Sequence, residues 1–145
     1  AGIWLRDPFC VDRHRADFQK LVSDELDFVI GNEAEFCTLY EANDLDAALS
    51  AAAKACALVV CTRSGDAVAM IENGARTDVP VNKVTPVDAT GAGDQFAAGF
   101  LNGLATGRSL QESGRMGGIA AAEVISHMGA RPHADMKALF ANAGL

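Results

Sequence analysis

Two textures of apolar residues alternate along the chain. Short continuous or β-branched runs at residues 2–5, 27–32 (DFVIGN) and 58–62 (LVVCT) read as strands, the last suited to a strand covered on both faces. Between them the spacing lengthens to helical periods. Residues 13–23 predict a short helix with Phe18, Leu21 and Val22 on one face. A turn at Gly31-Asn32 leads into a helix over 33–40, and Asp44 is placed to cap a helix carrying Leu45, Ala48, Leu49, Ala52 and Ala53. Residues 67–81 change to two short strands about Asn73-Gly74, a strong two-residue hairpin signal, so an antiparallel edge is expected there. Residues 95–105 then place Phe96, Phe100, Leu101 and Leu104 on one helical stripe that stops at Gly107. Ser109 and Glu112 form a capping box for a second long helix running through small residues to Gly129, and residues 134–141 close with a last short helix. Strands separated by helices, with no internal repeat or linker, predict one α/β unit over 1–145 with a mostly parallel sheet.

Composition narrows the class. Of 145 residues, 50% are hydrophobic and 21% charged, which excludes disorder and a charged coiled coil and predicts a soluble globular chain. The formal charge of −7 repels a phosphate backbone, and no basic patch offsets it, so nucleic acid is excluded as a partner. No apolar run reaches the ~20 residues that span a bilayer, so no membrane partner is expected. Cys10, Cys37, Cys56 and Cys61 lie in apolar stretches without C-x-x-C spacing and read as buried thiols of a reducing, cytoplasmic compartment.

The segment VDATGAGDQFAAG (87–99) carries the candidate chemistry. Gly91-Ala92-Gly93 precedes a helix expected to begin at Asp94, and small residues there leave backbone N–H groups bare. Unpaired donors and the helix dipole together favour an anion such as a phosphate. A carboxylate at the same place can take a proton from an attacking hydroxyl, the layout of a phosphotransferase. The alternative on these residues is structural: Asp is a favoured N-cap, and Gly-x-Gly can be a tight turn alone.

The whole string D-A-T-G-A-G-D followed by F-x-x-G resembles the C-terminal signature of the ribokinase, or PfkB, family of carbohydrate and nucleoside kinases. The resemblance implies a ribokinase-like three-layer α/β/α fold. It implies that Asp94 is the base toward the acceptor hydroxyl and that Gly91, Ala92 and Gly93 stabilise charge on the transferring phosphoryl. Asp88 and Thr90 match positions that border a monovalent-cation (K+) site, to which carbonyls of Val124, His127 and Gly129 would contribute; otherwise His127 is a histidine favoured at a helix C-terminus.

The stretch GNEAEF (31–36) resembles the family's N-x-x-E element, which implies that Asn32 and Glu35 organise Mg2+, through water, and the phosphates of ATP. Its structural alternative is a helix-start acidic cluster. Thr62, Arg63, Ser64 and Gly65 resemble the nucleotide-phosphate loop, with Thr62 and Ser64 as phosphate contacts; Ala67 replaces that loop's usual last glycine. Lys83 and Val84 are expected to line the adenine pocket, or to be solvated.

The resemblance extends from residues 7–15 (DPFCVDRHR) to 129–132 and is most like bacterial adenosine-kinase-like members. It implies a small-molecule sugar or nucleoside acceptor. The family's N-terminal half, with its glycine pair and β-sheet lid, has no counterpart here, and the chain starts at Ala1. It therefore reads as a C-terminal nucleotide-binding and catalytic half, inactive alone, whose partner is its own missing half. A sheet edge left open would favour homo-oligomers. The competing readings are a non-catalytic nucleotide-binding module and a Rossmann-type dinucleotide binder, and the latter lacks its G-x-G-x-x-G.

Overall fold

The computed structural model describes residues 1–145, which fall into two compact units: Ala1–Ser64 with Ala69–Asp78, and Gly65–Val68 with Val79–Leu145. Three β-branched or apolar runs of the first unit become parallel strands, β1 (Gly2–Trp4), β2 (Phe28–Asn32) and β3 (Leu58–Thr62). Their register pairs Trp4 with Ile30 and Asn32 with Thr62, so β2 and β3 end together and β1 stops two residues short of them. The sheet continues in the order β1-β2-β3-β4-β5, where β4 (Ala67–Glu72) and β5 (Ala75–Pro80) are the expected hairpin about Asn73-Gly74. Both turn residues have positive φ, 49° and 84°, as a tight hairpin turn requires.

Helices α1 (Pro8–Arg13) and α2 (Arg15–Asp24) bury Val11 and Val22, and α3 (Glu33–Leu39) and α4 (Leu45–Ala55) bury a stripe each, in a core where Leu5, Val22, Val29, Phe36, Leu39, Leu49 and Val59 are almost fully removed from solvent. Each such side chain contributes roughly 1.5–3 kcal/mol by burial. Val59, Val60 and Cys61 are buried in succession, the pattern of a strand with both faces covered. The Asp44 cap is present, its carboxylate accepting from Ala47 N–H at 2.8 Å. Helix α1 is not foreseen in the sequence: Asp7 caps it by accepting from Phe9 N–H at 2.9 Å, and Pro8 sits at its first position. Gly31-Asn32 is the end of β2 rather than a turn, and Asn32 is itself the cap of α3. The cysteines are all free, but only Cys56 and Cys61 are buried; Cys37 is half-buried and Cys10 is exposed on α1.

In the second unit α5 (Ala92–Ala105) and α6 (Leu110–Ile125) form a hairpin, followed by α7 (Met136–Asn142). Their seam is made of small residues. A Cβ at Gly99 would lie 2.6 Å from the Met116 carbonyl oxygen, and one at Gly103 would lie 2.6 Å from the Ser113 hydroxyl, so glycine sets the helix separation. That seam also changes the expected stripe: Phe96, Gly99, Phe100 and Gly103 are buried, whereas Leu101 is 38% exposed. The Ser109–Glu112 capping box is present. Helix α6 ends at Ile125, one turn before Gly129, because the Ile125 carbonyl accepts from Val87 and Asp88 N–H instead of from its own helix. No helix is long and apolar enough to cross a membrane.

Candidate phosphate-binding and catalytic site

Asn32, Glu35 and Thr62 come together in the first unit at the carboxyl ends of the parallel strands, the edge where open α/β sheets place ligands. Asn32 and Glu35 form a reciprocal capping box: Asn32 Oδ1 accepts from Glu35 N–H at 2.9 Å, and Glu35 Oε2 accepts from Asn32 N–H at 2.8 Å. The structural alternative for this motif is thus real, and it also fixes both side chains in place. Glu35 is only 4% exposed. Burial pushes its carboxyl above the usual range, although N–H groups of Asn32 and Asp7 work against the shift. A buried carboxylate whose charge is penalised is matched in chemistry to a nearby cation. Arg63, the residue after Thr62, lies 3.9 Å from Glu33 on α3.

The Thr62–Gly65 segment is a tight connection between adjacent strands. Ser64 and Gly65 have φ of 34° and 88°, the two successive positive values of a primed hairpin turn. Nothing stands within 4 Å of a Cβ built at Gly65, so its role is conformational freedom, not close packing. A hairpin of this length has no need of a glycine at position 67, where Ala67 opens β4.

The glycine turn lies in the second unit and starts its helix earlier than the sequence suggests. Gly91 is the N-cap of α5, left-handed at φ 83° and without any side-chain cap bond. Ala92 and Gly93 occupy the first two helical positions, and Asp94 the third, exposed to solvent. Asp94 is therefore not the cap, although an acid in the first turn is still favoured by the helix dipole. What remains is a helix start whose first N–H groups carry no side-chain acceptor, with a carboxylate one turn in.

Asp88 and Thr90 brace this turn. Asp88 Oδ1 accepts from Thr90 N–H at 2.9 Å, and Oδ2 accepts from Gly129 N–H at 3.0 Å. The Thr90 hydroxyl and these two amides hold the Asp88 carboxyl down to about 2. Sequence reasoning missed three further contributors. Gln95 donates from Nε2 to the Ala130 carbonyl at 3.3 Å, Ala130 packs against Gly91, and Glu123 ties down the 126–134 segment. The last had one signal in the sequence, an acid four residues ahead of His127, although α6 ends at Ile125 and His127 lies beyond it.

Lys83 is exposed and makes no ion pair. Just before it, Pro80, Val81 and Asn82 line a cavity of about 80 Å3 with Arg115, Gly118, Ile119 and Ala143. A Cβ at Gly118 would press on Val81 at 3.2 Å, so glycine keeps the wall of that cavity open.

Comparison with known proteins gives this geometry a lineage. The chain is 36% identical to a probable sugar kinase from Rhizobium etli over 99% of its length and 44% of that chain, with a TM-score of 0.96. It is 38% identical to adenosine kinase from Sinorhizobium meliloti, over 98% of this chain and 44% of that one, with a TM-score of 0.95. Among curated relatives it is 35% identical to a cytidine kinase of Thermococcus kodakarensis, over 79% of this chain and 42% of that protein. It spans less than half the length of these relatives. The ribokinase-like α/β fold expected from the motifs is the fold observed. With the pattern of the pfkB family of carbohydrate kinases matching residues 4–136, and the glycine turn and its aspartate at the start of α5, this chain belongs to that family of kinases.

Proposed function

We propose that this chain is the C-terminal, nucleotide-binding and catalytic half of a cytoplasmic kinase that transfers the γ-phosphoryl of MgATP to a hydroxyl of a sugar or nucleoside, with adenosine the favoured acceptor. The observation that carries the reading is the helix start at 91–94: a glycine cap with no side-chain acceptor, where Ala92 N–H donates to the Ala89 carbonyl at 3.2 Å and the Gly91 and Gly93 N–H groups have no partner, followed by an exposed aspartate in the first turn. Likeness to an adenosine kinase over 98% of the chain supports the choice of acceptor class.

In this reading the N–H groups at Gly91 and Gly93 donate to the oxygens of the transferring phosphoryl, where charge spreads as the bond to ADP lengthens, while Ala92, expected to share that role, has its N–H on the Ala89 carbonyl and shapes the turn. Asp94 accepts the proton of the attacking hydroxyl. Thr62, Ser64 and Gly65 receive the trailing phosphates, and Lys83 and Val84 line the adenine pocket. Asn32 and Glu35 suit Mg2+: an acceptor pair at a strand end, one member a buried carboxylate, leaves the ion most of its waters. When bound, the ion neutralises charge between the phosphates of the nucleotide. Asp88 Oδ1 and Oδ2 each accept one backbone N–H, which leaves acceptor capacity on both oxygens, so Asp88 and Thr90 would hold a monovalent cation beside the turn while Asp88 also braces it.

Positioning the acceptor and excluding water are worth a large part of the barrier, ~7–11 kcal/mol for well-oriented groups, and the counterpart of the family's other half is needed for both. The chain alone should therefore bind MgATP weakly without turnover. Titration calorimetry tests the binding: heat with millimolar MgATP and none with NAD supports the reading, and no heat with MgATP contradicts it.

A further inference from the structure

Glu123 is an ionisable group with a largely buried side chain that the proposed chemistry does not use. It lies near the end of α6 with its side chain 9% exposed. One oxygen, Oε1, gathers three partners: His133 N–H and Ala134 N–H, each at 2.9 Å, and His127 Nε2 at 3.2 Å. The rings of His127 and His133 stack with centroids 3.6 Å apart and planes 10° from parallel. A single carboxylate oxygen thus closes the 127–134 loop on itself. The other oxygen, Oε2, is buried with no partner, a cost that a side chain serving only as surface decoration would not incur.

The same loop holds the glycine turn from its other side. Gly129 N–H donates to Asp88, whose second oxygen takes Thr90 N–H. The Ala130 carbonyl accepts from Gln95 in the first turns of α5. A Cβ built at Gly91 would sit 2.8 Å from the Ala130 Cβ and 3.1 Å from its carbonyl oxygen, so the cap of α5 rests directly on Ala130. The path from Glu123 to the turn runs through contiguous contacts inside one unit: Glu123 to His133 and Ala134, along the loop to Gly129 and Ala130, and from there to Asp88, Gln95 and Gly91.

We propose that Glu123 is a positioning residue for the 91–94 turn, acting through the 127–134 loop it clamps. The inference rests on reading that turn as the phosphoryl site, and it adds a residue that touches neither nucleotide nor acceptor. Glu123→Ala frees two backbone amides and the His127 ring; Glu123→Gln keeps an acceptor oxygen at the same place.

The test is amide hydrogen exchange resolved by residue, with steady-state kinetics on the whole protein. In Glu123→Ala, exchange at Gly129 and Thr90 should rise roughly ten- to hundredfold while amides in the middle of α5 and α6 keep their protection. A misplaced turn should lower kcat by ~10–100-fold with the KM for ATP changed far less. Glu123→Gln should restore most of both. Exchange unchanged at Gly129 and Thr90, or accelerated evenly along α5 and α6, overturns the proposal whatever happens to kcat. Failure of the kinase reading shows separately, as normal turnover in Asp94→Asn.

Discussion

Gly91 rests on Ala130 so closely that a methyl group at position 91 would lie 2.8 Å from the Ala130 Cβ. Its φ of 83° is a second constraint, since L side chains avoid that region. Gly91→Ala therefore incurs both backbone strain and overpacking, each ~1–3 kcal/mol. The expected result is a melting temperature lowered by several degrees together with weaker MgATP binding. An unchanged melting temperature would show that the turn gives way easily and is not held in shape by its neighbour.

Glu35 titrates in a direction that separates charge from capping. Its folded-state carboxyl is raised by burial, so its contribution to stability is greatest below the ordinary glutamate range and is lost as pH rises through the raised value. Glu35→Gln keeps the acceptor for Asn32 N–H and removes the charge. The variant should melt no lower than the native protein at neutral pH, gain relative to it as pH rises above the ordinary glutamate range, and bind MgATP more weakly. Thermal melts from pH 4 to 8 check the first part. A variant that melts well below the native protein at pH 7 would mean that the carboxylate charge stabilises the fold.

Asp88 works with the opposite sign. Its carboxyl is depressed to about 2, so its contribution is present above the ordinary aspartate range and fades as pH falls toward about 2. Acid titration followed at the Gly129 and Thr90 amides should show their protection lost across that window. Asp88→Ala should abolish the protection at all pH values. Full protection of both amides in that variant would assign the brace to other contacts.

Much of this architecture is legible in the sequence because local and tertiary preferences agree. The β-branched run at 58–62, the Asn73-Gly74 turn and the Ser109–Glu112 box each state their structure in a few residues. The departures come where glycine and proline carry two meanings. Gly91-Ala92-Gly93 reads as a turn, yet Ala92 and Gly93 are already helical, which moves Asp94 from the cap to the third position. No helix is expected directly after the strand at 2–5, yet proline at a first helical position opens α1. The stripe on α5 is shifted toward Gly99 and Gly103 because contact with α6 depends on the absence of side chains, which hydrophobic periodicity does not register. The loop that supports the turn was invisible for a related reason: it is held by backbone N–H groups on Asp88 and Glu123, and no side-chain pattern announces which amides a carboxylate will find.

The central claim, that Asp94 is the base of a phosphoryl transfer, is tested most directly by kcat of Asp94→Asn in the whole protein. Asp94 is exposed and is not the helix cap, so the substitution should leave the melting temperature and MgATP affinity close to native. The loss of a general base should lower kcat by ~10²–10⁴ with little change in KM. A near-native kcat would contradict the assignment of Asp94 and, with it, the catalytic reading of the glycine turn.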